Sequence, residues 1–223
     1  MTDAHCHVSC GDSSVRELLV GRDFFGVHPW ETLEERKVES VKCKVEEELR
    51  SKLLANPAAG VGEIGLDRLK VRDIPPLMRE VFESQLALAL ELRRPVVLHG
   101  AKCWGQVVAT IRKLTTHNSQ LTNFLFHGFS RSDGLIPEIV ELNGFISVGP
   151  AVLNDHAVNY RELVKKIPLD RLLVETDAVV GARVPTRPHI RDVLVKTADI
   201  LNLSAAELEK TTDENADRFL GAV

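Results

Sequence analysis

Asp3, His5 and His7 alternate along the opening stretch Met1-Thr-Asp-Ala-His-Cys-His7. Side chains leave an extended strand from its two faces in turn, so these three share one face if the stretch is a β-strand. Two imidazoles at one strand end make half a metal site, although taken alone they are equally two polar side chains at the end of a strand. Four further short apolar runs weigh against that plainer reading. Val96-Val-Leu-His99, Phe124-Leu-Phe-His127, Ala59-Gly-Val-Gly-Glu63 and Leu172-Leu-Val-Glu-Thr-Asp177 each deliver a His, Glu or Asp at or just past their C-terminal end. Core packing gives no reason for such convergence.

Neutral imidazole and carboxylate together suit Zn²⁺, Mn²⁺ or Mg²⁺, and no Cys stands at any of these ends, which removes the usual structural zinc pattern. Cys6 is out of phase with His5 and His7, and the four cysteines (Cys6, Cys10, Cys43, Cys103) read as structural. His28, just before Pro29, ends another extended stretch. Seven or eight donors exceed what one ion takes, so two divalent ions are implied. His117, His156 and His189 fall in loops or helix starts, where solvation is the default.

The elements that must position these residues can be read from periodicity. Gly11-Asp-Ser-Ser caps a short helix over 15–19, stopped by Gly21, and Asp23 to His28 is the next strand. Apolar residues at three- and four-residue spacing (Val38, Val41, Val45, Leu49, Leu53) predict an amphipathic helix up to Asn56-Pro57. A buried strand follows from Ala58 into Gly65-Leu-Asp67, then a helix from Pro76 to Arg94. Strands ending at His99, His127 and Gly149 alternate with helices 105–114, 135–142 and 157–166, and a strand over 171–174 closes the series. After the loop 178–188 come a helix over 190–203 and another opened by the capping box Ser204-Ala-Ala-Glu207. Repeated βα units imply parallel strands with helices outside, and in a parallel barrel the strand C-termini open on one rim.

The chain has 223 residues and a formal charge of −4. That length fits one α/β domain over 1–223. The charge argues against coating nucleic acid by bulk electrostatics but leaves room for an enzyme acting on a nucleic-acid end through local contacts. No apolar run nears the roughly 20 residues of a membrane helix. With scattered cysteines and no signal peptide before the first strand, an intracellular protein is expected, cytoplasmic or, in a eukaryote, nuclear. A monomer is favoured.

Asp3-Ala-His-Cys-His7, Gly26-Val-His-Pro29, Gly62-Glu-Ile-Gly-Leu-Asp67, Pro95-Val-Val-Leu-His99, Phe126-His-Gly-Phe-Ser130, Leu173-Val-Glu-Thr-Asp177 and Asn215-Ala-Asp-Arg-Phe-Leu-Gly221 resemble, in order, the motifs of the TatD-like metal-dependent deoxyribonucleases. The resemblance runs from residue 3 to 221. It implies an amidohydrolase-type TIM-like (β/α) barrel and a two-metal 3′ to 5′ exonuclease acting on DNA; a pocket at a barrel mouth admits a single-stranded end more readily than a stacked duplex, so single-stranded DNA ends are the expected substrate. Carried over by motif, His5, His7 and Asp177 hold one ion, His99 and His127 the other, and Glu63 bridges. His28 and Glu175 line the pocket, Asp3 steadies the histidines of the first strand, and Asp177 is the general base. Lys102, Arg131, Arg183 and Arg187, each in a loop after a strand end, are candidate phosphate contacts.

Two departures stand out. Only about twenty residues separate His7 from His28, room for one crossover and no additional strand, so seven strands are expected where the family has eight. Gly128 stands where a small residue such as Cys is common, and Arg131 where Gly is usual. Two rival functions share the architecture: a hydrolase of small phosphoesters or amides, and a binding scaffold that has lost catalysis. A carbamylated Lys often bridges the metals in the first rival, whereas here Glu63 stands at that position; the second would normally have lost a ligand.

Overall fold

Phe-Leu-Phe and Leu-Leu-Val runs, apolar on both faces, can be satisfied only in strands covered on both sides, and the molecule is built around them. The computed structural model describes residues 1–33, 38–116, 122–179 and 189–221, the side chains of 38–43 excepted. Its strands are β1 (Thr2–Cys6), β2 (Arg16–Leu19), β3 (Phe24–Phe25), β4 (Gly60–Asp67), β5 (Val96–Ala101), β6 (Phe124–Phe126), β7 (Gly144–Val148) and β8 (Leu172–Val174). The helices are α1 (Val38–Ala55), α2 (Pro76–Glu91), α3 (Trp104–Thr115), α4 (Ile136–Glu141), α5 (Val158–Val164), α6 (Ile190–Leu201) and α7 (Ala205–Leu220). None of the described helices is long and apolar enough to cross a membrane.

Strands β3 to β8 form one parallel sheet in sequence order, and β1 pairs with β2, also in parallel. Single backbone links join the two sheets. Val20 bridges Phe24, the Asp177 amide donates to the His5 carbonyl (3.0 Å), and the His7 amide donates to Ala178 (2.9 Å). Ala4, Leu18, Phe24, Val97, Leu125, Phe145 and Leu173, one from each of seven strands, pack together with Ala216 and Phe219 of α7. A second, larger apolar layer lies between strands and helices. This is the arrangement of a (β/α) barrel with a filled interior. Two residues beyond Val97, Leu125 and Leu173, the same alternation brings His99, His127 and Glu175 to the rim.

The barrel expectation stands, but the strand count does not. Arg16–Leu19, expected as a short helix, is a strand with Asp3 opposite Glu17, so there are eight strands rather than seven among the described residues. What is missing is helix: none intervenes between β1 and β2 (residues 7–15) or between β2 and β3 (residues 20–23). The helical reading failed because Glu17, charged yet buried, interrupts the apolar alternation; its carboxylate accepts hydrogen bonds from Ser9 Oγ and the Cys10 amide, both at 2.5 Å. Arg16 is held by Asp217 (2.6 Å) and Thr2 (3.1 Å).

The terminal helix is a structural element. Ser204 and Glu207 form the expected capping box, and fully buried Asn215 donates to the carbonyls of Leu169 (2.8 Å) and Leu172 (2.6 Å) at the entry to β8. Asn215→Ala leaves the buried Leu172 carbonyl and the partly buried Leu169 carbonyl without that donor, and the expected cost is about 1–3 kcal/mol. A lower denaturant midpoint with unchanged activity per folded molecule is the outcome expected; an unchanged midpoint would contradict it.

Candidate metal centre

Glu63 lies on β4, where Gly65 two residues on allows close approach to the neighbouring strand. Gly65 has φ +151°, and a Cβ there would stand 1.9 Å from the His99 carbonyl oxygen. The Glu63 side chain is only 3% exposed, and its two oxygens face different partners. Oε2 lies 3.4 Å from His5 Nε2 and 3.3 Å from His7 Nε2, while Asp177 Oδ1 lies 3.7 and 3.6 Å from the same two nitrogens. Oε1 lies 2.7 Å from His127 Nε2, 2.5 Å from His99 Nδ1 and 3.4 Å from His28 Nε2. His5, His7 and Asp177 could hold one cation; His5, Glu63 and His127, or His28, Glu63 and His99, are further groups close enough to share one.

The donor set fits a divalent ion. Ligand atoms about 2.1 Å from an ion at tetrahedral angles lie about 3.4 Å apart, close to the spacings around Oε2. Both His5 ring nitrogens are buried without a hydrogen-bond partner among the described residues, an arrangement that costs free energy unless something else binds them. Burial, and then the neighbouring His127, pushes the His5 pKa down to about 4, so its imidazole is neutral as a ligand requires. Around Oε1 the contacts are instead short hydrogen bonds.

Charge in the cluster is centred on Glu63. Burial alone would raise its pKa, but His127, by charge and hydrogen bond, with His28 and His5, holds it well below the usual carboxylate range. Burial works against a charged His127 as well, and the Glu63 charge overrides it, lifting that imidazole to about 10. His7 is raised chiefly by its hydrogen bond to Glu63.

Two residues outside the expected set belong to it. Asp67 Oδ2 stands 2.7 Å from His99 Nε2, so that imidazole is gripped from both sides. The sequence signal was present: Glu63 and Asp67 are four apart on one strand and therefore share its face. Burial of Asp67 is outweighed by His99, with the Leu69 amide and Trp30 also helping to keep the carboxyl low. Ser147 is the other, donating to Glu175 Oε2 at 2.5 Å.

Glu175 is buried, held also by the Gly128 amide at 2.7 Å, with its Oε1 4.0 Å from His127 Nδ1. Burial lifts its pKa to about 7. Asp3 accepts from the amide (2.9 Å) and hydroxyl (2.6 Å) of Thr176, the residue before Asp177. Its side chain therefore acts on the Asp177 end of the site. Lys102 and Arg131 line a cavity of about 670 Å³ with His99, His127 and Asp177, and Arg131 also borders one of about 760 Å³ with Glu175 and Tyr160. Arg183 and Arg187 lie outside the described residues.

Comparison with known proteins places the chain in a family. The family model described as TatD related DNase matches residues 21–221. An uncharacterized metal-dependent hydrolase of Bacillus subtilis, YabD, is 29% identical over 165 residues, 71% of this chain and 64% of the relative's length. A Pectobacterium atrosepticum protein named 3′-5′ ssDNA/RNA exonuclease TatD is 30% identical over 204 residues, covering 86% of this chain and 75% of that protein. The crystal structure of the Escherichia coli TatD homologue YjjV superposes with a TM-score of 0.72 at 25% identity, covering 94% of this chain and 78% of that one. On the match over residues 21–221, this chain belongs to the TatD-related DNase family.

Proposed function

We propose that this chain is a metal-dependent nuclease that removes nucleotides from the 3′ end of single-stranded DNA, using two divalent ions. The reading is carried by one observation: the two oxygens of Glu63 face separate groups, His5 and His7 on one side, His99 and His127 on the other. His5, His7 and Asp177 would hold one ion and His99 and His127 the second, with Glu63 shared. Bound there, Mg²⁺, Mn²⁺ or Zn²⁺ would supply acidified water and charge neutralisation for a phosphodiester.

The remaining work falls to the chain's own residues. Asp177 is the proposed proton acceptor; its side chain is 44% exposed, open to a substrate while facing His5 and His7. Asp67 orients His99, and Asp3 fixes the backbone leading to Asp177. Lys102 and Arg131, which line the cavity beside His99 and Asp177 in a chain of formal charge −4, are the proposed phosphate contacts.

The test is metal-loaded protein with end-labelled oligonucleotides. Stepwise release from the 3′ end of single strands, slower on blunt duplex and abolished by chelator, is expected. Lys102 and Arg131 together contribute a log–log slope of only about −1.4 for a single strand, a shallow salt dependence. Intact labelled DNA alongside hydrolysis of small phosphoesters or amides would replace the nuclease reading with the smaller-substrate hydrolase.

A further inference from the structure

Trp30 stands in the 3-10 turn Pro29–Leu33, directly after His28, and is 39% exposed. Singly exposed apolar residues are ordinary; the neighbours distinguish this one. Its ring lies 4.9 Å from that of His28 and 6.4 Å from that of His99, so it borders the Glu63 cluster. Lys70 Nζ sits 3.8 Å from the indole centroid, over one face. Leu69, 54% exposed, adjoins Lys70 and lines the same cavity as Lys102, Arg131 and His99. An accessible indole, an apolar neighbour and an exposed ammonium therefore meet at the mouth of the site.

We propose that the Trp30 indole is the stacking surface for a nucleobase at the end of a single-stranded substrate, with the Lys70 ammonium passing from the ring to the adjoining phosphate. This rests on the nuclease reading above and adds the subsite that receives the base. Every base presents a π-face, so stacking here is tolerant of sequence, and an exposed cation–π contact is weaker than base–aromatic stacking. The base displaces Lys70 without loss, since a backbone phosphate is a better partner for an ammonium than an exposed ring. A ring at this distance from the Glu63 cluster is within the reach of one nucleotide whose phosphate lies at the cluster. DNA and RNA share this base chemistry.

The experiment compares wild type, Trp30→Ala and Trp30→Phe on single-stranded DNA and RNA, each with a natural 3′-terminal nucleotide or a terminal residue lacking its base. In the wild type, loss of the base is expected to raise KM roughly 10- to 100-fold. Trp30→Ala should raise KM on the natural end by a similar factor, leave the baseless end unchanged and alter kcat less than about threefold; Trp30→Phe should restore most of the difference. Bound metal should be the same in all three. Trp104, the other tryptophan, is buried but borders the same cavity, so Trp30 is read as the part of the oligonucleotide-induced fluorescence quenching in the Asp177→Asn variant that Trp30→Phe removes. If Trp30→Ala leaves KM on natural ends unchanged, or raises it equally on both ends, the stacking assignment falls and the nuclease reading stands. If metal-loaded wild type cleaves neither DNA nor RNA, both fall together.

Discussion

Glu63→Ala is expected to abolish turnover and weaken both metal-binding groups at once, lowering kcat/KM by at least about 10³-fold, since each ion supplies several kcal/mol of charge stabilisation and 1.36 kcal/mol is a factor of ten. The reason is geometric. Oε2 faces His5 and His7, Oε1 faces His99 and His127, and no other described carboxylate is shared by both groups. Alanine also leaves a void among buried imidazoles, so a loss confined to stability has to be separated from loss of binding. Glu63→Gln does this by keeping the volume and one oxygen while removing the charge. Metal content after gel filtration, read beside turnover, should fall for both variants, with the folded state of Glu63→Gln intact by circular dichroism. Full occupancy and activity in Glu63→Ala would remove the bridging assignment.

Much of this site was legible in the sequence because strand chemistry is periodic. His5 and His7 at spacing two, and His99, His127 and Asp177 each just beyond an apolar run, can reach one place only if the strands are parallel and open on one rim. Their approach to Glu63 follows that expectation closely. Arg16–Leu19 was illegible for the opposite reason: four residues carry too little alternation to read, and buried Glu17 sits where an apolar residue would be looked for. Position alone also missed partners. Asp3 shares a strand with His5 and bonds its backbone, and its side chain also bonds Thr176, a contact between residues 173 apart that no local pattern contains. Asp67 had the right spacing from Glu63 but gains its role only through His99 on the next strand.

Asp177→Asn should eliminate most turnover, by about 10²–10⁴-fold in kcat, while leaving the fold intact. The substitution suits this position because the backbone there has φ +47°, a left-handed conformation that asparagine tolerates and β-branched residues do not. With the side chain 44% exposed, the expected change in stability is within about 0.5 kcal/mol. What the amide loses is the negative charge and the ability to accept a proton. Asp177 Oδ1 faces the same His5 and His7 nitrogens as Glu63 Oε2, so the variant should also bind a divalent ion more weakly there, with the His99 and His127 side less affected. Calorimetric titration should therefore show one weakened binding step where Glu63→Ala weakens both. Saturating metal separates the two losses: a variant recovering full kcat at high metal has lost only a ligand, whereas persistent inactivity marks the missing proton acceptor. Turnover unchanged across the accessible pH range would mean that the base lies elsewhere on the rim.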